Sequence, residues 1–247
     1  MLFFKDFEKL TYRFGNEETT TVIQDLSTYS SVIDELKDDV SFYEYVTIPE
    51  GFRPDQMSIY LYDTPVYYWT FYLLNDNIRL QGWPLDNDEL DVKIKKQYPN
   101  TVITTKDDLT GIFKVGRTVV GTRSGSTGTI LHRNLELGQL VIEGDLTFNL
   151  TPSPEAVTST FASPGGTTVE TITISATSEE YNAAHHYVDG TGAWTDIDPS
   201  IGPGALLTEV TNYEYYYNEN EALRNIKAVK PNLVSKLVSS YKRSIRG

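Results

Sequence analysis

The chain changes composition twice, and these changes constrain its fold more than any other feature of the sequence. Residues 1–100 are rich in Tyr, Leu, Asp and Glu, whereas residues 110–207 favour Gly, Thr, Ser and Pro between short β-branched runs. Such runs between turn residues are typical of a small all-β unit. We therefore expect an α+β protein in which one domain, built from residues 1–105 and 208–247, is interrupted by an all-β inserted domain at 106–207.

The charge and the residue types exclude several classes of function. Lys and Arg total 21 against 34 Asp and Glu, a formal net charge of −13, whereas nucleic-acid binding needs a clustered excess of basic residues. The chain has no cysteine, which excludes disulfides, thiolate zinc sites and a cysteine nucleophile. Charged residues interrupt the apolar residues at the amino end, whereas a signal peptide has an uninterrupted apolar region there. No apolar run approaches the roughly 20 residues that are needed to span a bilayer. We therefore expect neither a nucleic-acid partner nor a membrane partner.

The first segment contains a strand signal followed by a helix signal. The aromatic and β-branched run 42–48 stops at a proline, so it predicts a strand. The segment 54–62 begins with proline, which is favoured at the first helical position. Its spacing places Met57, Tyr60 and Leu61 on one face, and we expect that face to be buried.

Two more helices are predicted before the insertion. Thr64 precedes the helix predicted over 65–74 and Pro65 begins it. The apolar residues of this helix run nearly all round it, so it should be largely buried. Asn75 is expected to end it. Asp86 and Glu89 are spaced like a capping box and predict a further helix that ends near Tyr98.

The last segment predicts one strand and one amphipathic helix. Residues 225–230 form a short run that stops at a proline and could pair as a strand. After the proline, Leu233, Leu237, Tyr241 and Ile245 recur on one side of a helix. The same helix carries several basic residues, which leave a basic tail.

The predicted insertion has strand signals at the spacing of a small barrel or sandwich. Its short apolar runs are 111–121, 139–143, 146–150 and 167–174. Residues 189–205 are rich in Gly and Pro, and we expect them to form a surface loop or linker back to the main domain.

Three polar clusters could carry chemistry, but each has a simpler structural interpretation. The run Gly121–Gly128 is glycine-rich like a phosphate loop, yet it lacks the lysine and the following helix, which favours a hairpin turn. His185 and His186 could hold a metal together with Asp189 and the nearby Glu179 and Glu180, but adjacent strand histidines point to opposite faces, which favours metal-free loop histidines. The carboxylates within 86–91 are typical of a solvated helix start. We expect no catalytic residue, no cofactor and no metal.

Aromatic and basic residues are the remaining candidates for function. The 17 Tyr, 10 Phe and 3 Trp either fill a core or cover a protein interface, where Tyr and Trp are enriched. The basic residues of the last helix either form a solvated face or dock on an acidic partner. The candidate partner-interface residues are Tyr60, Tyr62, Tyr67, Tyr68, Trp69, Trp83, Tyr213, Tyr215, Arg224, Lys236 and Arg243.

Two runs of the sequence carry a family likeness. Residues 48–75 read IPEGFRPDQMSIYLYDTPVYYWTFYLLN and are followed by GWPL at 82–85, and residues 218–227 read NENEALRNIK. These runs resemble the small baseplate wedge subunit of contractile-tailed phages of the T-even kind. Residues 114–130 are similar to short β modules of phage virion proteins, which is a weaker match.

The resemblance implies a LysM-like core of two strands and two helices. On that plan residues 43–48 are the first strand, 55–62 and 65–74 are the helices, and Asn75 is the closing asparagine. Residues 225–230 then form the second strand, paired antiparallel with the first across the whole insertion. The cost of closing such a loop grows only logarithmically with its length.

The resemblance also implies a function. It describes a structural virion protein of the tail baseplate, without enzymatic activity, that joins neighbouring wedges and is present in multiple copies. Its partners would be other baseplate wedge and hub subunits, and it would be made in the host cytoplasm. Two other classes stay open: a LysM-type module that binds peptidoglycan or chitin, and an enzyme acting on cell walls, for which no acid/base pair or metal site stands out.

Overall fold

The computed structural model describes residues 9–13, 15, 19–24 and 39–245, and over these residues the protein is a mixture of helices and strands. This mixture agrees with the expected α+β class. The chain divides into two compact units. The first unit contains the chain up to Asn87 and from Asn220 onward, and the second runs from Asp88 to Glu219.

The strands and helices are numbered in chain order. The strands are β1 (Lys9–Tyr12), β2 (Thr21–Gln24), β3 (Tyr43–Thr47), β4 (Thr101–Thr105), β5 (Thr118–Gly121), β6 (Thr127–Asn134), β7 (Gln139–Ile142), β8 (Ala156–Ser163), β9 (Gly166–Glu179), β10 (Ala184–Val188), β11 (Trp194–Thr195), β12 (Thr208–Thr211) and β13 (Asn225–Val229). The helices are α1 (Pro54–Tyr62), α2 (Trp69–Leu74), α3 (Asp76–Gln81), α4 (Asn87–Gln97), α5 (Asn212–Ala222) and α6 (Val234–Ile245), with 3₁₀ turns at Pro65–Tyr67 and Glu180–Asn182.

A two-stranded antiparallel sheet forms the centre of the first unit. Strand β3 pairs with β13, so that Tyr43 lies opposite Val229 and Thr47 lies opposite Asn225. The predicted long-range pairing of 43–48 with 225–230 is therefore confirmed. The backbone N–H of Ile48 continues the contact, because it donates to the carbonyl of the residue that precedes β13.

Helix α1 has the predicted bounds, but its buried face differs from the prediction. Met57 is fully buried, whereas Tyr60 is 68% exposed, so the prediction for Tyr60 is wrong. Ser58 is buried in its place. The Ser58 hydroxyl donates to the backbone carbonyl of Thr64 at 2.6 Å, and this bond satisfies its polar group inside the core.

The segment predicted as one helix over 65–74 is a 3₁₀ turn followed by α2. The Thr70 hydroxyl donates to the Tyr67 carbonyl at 2.8 Å, where the turn ends. Asn75 ends α2 as expected, because it follows Leu74 in an extended conformation. A further helix, α3, begins directly after it, and the Asn75 carbonyl accepts the first bond of α3 from the N–H of Arg79. Helix α3 was missing from the sequence prediction.

Two apolar clusters hold the first unit together. The first joins one end of the sheet to α2 and α6, and its buried members are Tyr43, Trp69, Leu74, Val229, Val234, Leu237, Val238 and Tyr241. The second packs α1, α2 and α3 against the sheet, and its buried members are Ile48, Met57, Phe71, Ile78, Leu223, Ile226 and Ala228. The predicted apolar stripe of the last helix is confirmed for Leu237 and Tyr241, whereas the side chain of Ile245 lies outside the described residues.

The second unit contains a closed six-stranded barrel with the strand order β4-β7-β6-β5-β8-β9. The sequence predicted a barrel or a sandwich, and the closed pairing of β4 with β9 decides for the barrel. Buried residues alternate with more exposed ones along parts of several strands, for example Ile172 and Ile174 on β9, as is usual in a small barrel. The barrel core is Ile103, Leu109, Phe113, Val119, Ile130, Leu140, Ile142, Phe148, Val157, Ile172 and Ile174.

The boundaries of the second unit differ from the predicted domain limits. Residues 101–105 belong to the barrel, and β12 pairs with β10 in a three-stranded sheet of order β11-β10-β12. Within the predicted insertion, residues 106–207, the regular elements are strands and one 3₁₀ turn, but the second unit is larger and also takes in helix α4 and most of α5. Residues 146–150 form no strand, although Phe148 is buried in the barrel core. The expected loop 189–205 contains the short strand β11.

Candidate functional site

The glycine-rich run Gly121–Gly128 forms a hairpin turn between β5 and β6, as predicted. Its backbone N–H groups do form an anion pocket, but the protein fills it with the carboxylate of Glu155. That carboxylate accepts from the N–H groups of Arg123, Ser124 and Asn149 at 2.9, 2.8 and 2.6 Å. Burial alone would raise the pKa of Glu155, but these donors outweigh it and hold the pKa below its ordinary value. The turn therefore has no room for a phosphate.

The acidic residues at the start of α4 behave as a solvated helix end. Asp88 and Glu89 are exposed in the first turn, where a carboxylate is favourable. Asp91 pairs with Lys95 one turn later at 2.9 Å. No group of three or more His, Asp or Glu side chains is placed to hold a metal ion within the described residues.

His185 and His186 lie on strand β10 and not in a loop, so that part of the prediction is wrong. Their side chains were also expected on opposite faces, but the pairing of β10 with β12 shifts register between Ala184 and His186. A register shift of this kind re-aims side chains. The two Nδ1 atoms consequently lie 2.8 Å apart, in hydrogen-bond contact.

The histidine pair lies between two other aromatic rings. His185 stacks on Tyr215 of α5 with centroids 4.0 Å apart and an interplanar angle of 7°. His186 stacks on Trp194 of β11 at 3.9 Å and 19°. Burial lowers the pKa of both imidazoles, and the charge of His186 adds to the effect at His185. We name this set of four rings the stacked cluster: Tyr215, His185, His186 and Trp194.

The predicted interface residues fall into several environments. Tyr213 and Tyr215 belong to the second unit, and Tyr215 is a member of the stacked cluster. In the first unit, Tyr62 stacks on Phe71 at 6.0 Å, and its hydroxyl donates to the carbonyl of Val229 at 2.9 Å. Burial raises the pKa of Tyr62. Tyr62 therefore acts mainly inside the first unit.

Three more of the candidate aromatic residues are also partly buried. The Trp83 indole N–H donates to the Phe52 carbonyl at 2.7 Å, and its ring lies 5.8 Å from Phe71. Tyr67 contacts the Tyr62 ring edge-on at 5.9 Å. Tyr68 is half-buried and packs against both clusters of the first unit.

Two of the candidate interface residues are buried, and for these the prediction is wrong. Trp69 is 6% exposed and packs against Tyr241 of α6 at 5.5 Å. Arg224 is 5% exposed; its guanidinium pairs with Glu50 and, at 2.6 Å, with Glu221. Both side chains are used within the first unit, so neither presents a surface to a partner.

Tyr60, Lys236 and Arg243 are the candidate interface residues that are exposed. The Tyr60 ring touches Phe52 edge-on at 6.2 Å, which leaves most of it open to solvent. Other large apolar residues of the first unit are also exposed, although they were not among the predicted interface residues. These are Leu10, Tyr12, Val22, Val40, Tyr45, Ile59, Val66 and Leu80. The alternation along β3 is a signal that could have found Tyr45.

Asn75 holds the outer edge of β13 in the way that another strand would. Its side-chain oxygen accepts from the N–H of Lys227, and its amide donates to the carbonyl of the same residue, both at 2.8 Å. The amide also donates to the Phe71 carbonyl at 2.8 Å. Asn75 and Lys227 are 152 residues apart. One buried side chain thus joins α2, α3 and the sheet.

The comparisons with known proteins give no family assignment. The chain matches no protein-family model, and a search among curated proteins finds no match to it. Among the described helices, none is both long enough and apolar enough to cross a membrane.

Proposed function

We propose that this chain is a structural virion protein, a subunit of the tail baseplate wedge of a contractile-tailed phage that joins neighbouring wedges. One observation carries the proposal: the long-range pairing of β3 with β13, with Asn75 at the sheet edge. The resemblance of 48–75 and 218–227 to the small wedge subunit implies this arrangement. It supports a LysM-like core for the first unit.

The surface of the first unit supports a role in assembly. Tyr60 and Ile59 are adjacent on α1 and are 68% and 48% exposed, and Tyr45 on β3 is 62% exposed. Solvent-exposed aromatic and aliphatic residues of this size are typical of surfaces that become buried in a stable complex. Lys236 and Arg243 add exposed positive charge to α6 of a chain that is acidic overall. A complementary acidic patch on a neighbouring subunit would fit that helix.

Size-exclusion chromatography with wedge and hub subunits of the same virion tests this function. We expect the purified chain to co-elute with a wedge subunit. The change Tyr60→Ser should weaken the complex at least about tenfold, the effect of losing a central aromatic residue. Tyr217→Ser is the matched control, because Tyr217 is also at the surface, 36% exposed, but lies in the second unit. Failure to bind any wedge or hub subunit would contradict the proposal.

A LysM-type module that binds peptidoglycan or chitin is the second candidate. The same two-stranded plan supports it, because LysM domains elsewhere bind N-acetylglucosamine chains. Against it, the rings of Tyr62 and Trp83 pack inside the first unit and have little surface left for a sugar. Retention of the chain on insoluble peptidoglycan or chitin, with no complex between subunits, would favour this module over the wedge subunit.

A further inference from the structure

Trp194 presents an open aromatic face on the second unit. It is 66% exposed, although one face of its ring is covered by His186 at a centroid distance of 3.9 Å. Since one face is covered and most of the side chain is still in contact with solvent, the opposite face of the indole is open. The barrel core does not use this ring. An indole combines a large apolar face with a polar N–H edge, which suits it to contact a ligand that has both kinds of surface.

The ring is also held in a fixed orientation. His185 meets the indole edge-on at 5.7 Å and 82°, and His185 is itself stacked on Tyr215 of α5. The contact between the two Nδ1 atoms joins the two halves of the stacked cluster. A flat surface that is ordered before binding loses little conformational entropy when a ligand arrives.

A groove of about 90 Å³ lies beside the indole and contains polar groups. The residues that line it include the polar Asn134, Glu136, Thr195 and Asp196 beside the apolar Leu137 and Ile197. The two carboxylates can accept hydrogen bonds from hydroxyls, and the Asn134 amide N–H groups can donate. The Asn134 side-chain oxygen already accepts from the backbone N–H groups of Glu136 and Leu137, and the Thr195 hydroxyl donates to the Ala193 carbonyl. Among the described residues that line the groove there is no Lys or Arg. An anionic ligand would therefore meet carboxylates without a compensating cation.

We propose that Trp194 and this groove bind a ring of a neutral oligosaccharide. A pyranose ring has a face of C–H groups and an edge of hydroxyls, which match the open indole face and the polar walls of the groove. An apolar peptide would cover the indole but would leave the carboxylates of Glu136 and Asp196 desolvated and unpaired. The inference rests on the second unit alone and does not depend on the proposed function.

Titration of the full chain with soluble sugars tests this site. The chain contains three tryptophans, so three indole N–H signals can be followed by NMR. The probes are maltohexaose, cellohexaose, mannohexaose and chitotetraose, each up to about 20 mM, which detects millimolar affinity. We expect at least one probe to shift the Trp194 indole signal. For the variants the Kd is measured by isothermal titration calorimetry, which does not need that signal, and Trp194→Ala should raise it at least about tenfold. Trp194→Phe, which keeps a flat ring, should lose less.

Leu206→Ala is the matched control, because Leu206 is 89% exposed in the same unit and has no ring. It should leave the Kd unchanged. The proposal is overturned if no probe shifts the Trp194 signal. It is also overturned if Trp194→Ala binds as tightly as the native chain, which would place sugar binding elsewhere. Protection of Trp194 by a wedge subunit, with no response to any sugar, would identify the surface as a protein contact instead.

Discussion

Replacing Asn75 by alanine should selectively destabilise the first unit. The change removes three hydrogen bonds of 2.8 Å: a buried one to the carbonyl of Phe71 and two partly buried ones to the backbone of Lys227. Each is worth about 1 kcal/mol net, so we expect a loss of about 3 kcal/mol. The true cost can be higher, because a buried Lys227 N–H or carbonyl left without a partner costs about 1–3 kcal/mol.

Guanidinium unfolding, followed by tryptophan fluorescence, measures this loss. A Trp194→Phe background leaves Trp69 and Trp83 as reporters, and both lie in the first unit. Asn77→Ala is the matched control, since Asn77 is exposed and lies two residues further along the same segment. Surface changes of this kind usually stay within about 0.5 kcal/mol.

A loss below about 1 kcal/mol for Asn75→Ala would refute the reasoning, because it would mean that the edge of β13 is held without this side chain. An equal loss for both variants would refute it as well. In that case the effect would come from the local helix and not from the contact with Lys227.

Three further predictions concern the second unit. Glu155→Gln should lower the melting temperature at pH 7. The difference from the native chain should shrink as the pH falls below about 4.5, because the folded-state pKa of the Glu155 carboxyl is depressed and the stability that its carboxylate contributes is lost on protonation. Gly121→Ala should lower the melting temperature, because its new Cβ would collide with the Ser124 side chain and lie 3.2 Å from the Glu155 carboxylate. Gly165→Ala is the control: its Cβ would enter open space, so the melting temperature should stay the same. Acidification below the ordinary histidine pKa of 6.5 should change the tryptophan fluorescence of the native chain, because the imidazoles take up protons and His186 is stacked on Trp194. His186→Ala should remove most of that change.

Local signals in the sequence were sufficient for several elements of the first unit. The proline at the start of α1 fixes the backbone angle that a helix needs, and the bounds of α1 agree with the prediction. The apolar spacing of the last helix likewise identified Leu237 and Tyr241 as buried. The pairing of β3 with β13 came from the family resemblance, because no local pattern indicates which distant strand is the partner.

Long-range contacts explain what the sequence analysis missed. Glu155 fills the turn of Gly121–Gly128 from the residue just before β8, about 30 positions further along the chain, so the local glycine pattern alone could not distinguish a closed turn from a phosphate site. The register shift in β10 depends on its pairing with β12, and it brings His185 and His186 together against the alternation expected of a regular strand. Arg224 was predicted at a surface because its two carboxylate partners, Glu50 and Glu221, could not be identified without the fold.

Reconstitution of the baseplate tests the central claim most directly. Purified wedges that lack this chain would be mixed with the native protein, or with its Tyr60→Ser variant, and observed by negative-stain electron microscopy. The account predicts that wedges join their neighbours only when the native chain is present, and that the variant joins them poorly. Wedges that assemble equally well without the chain would contradict the proposed function.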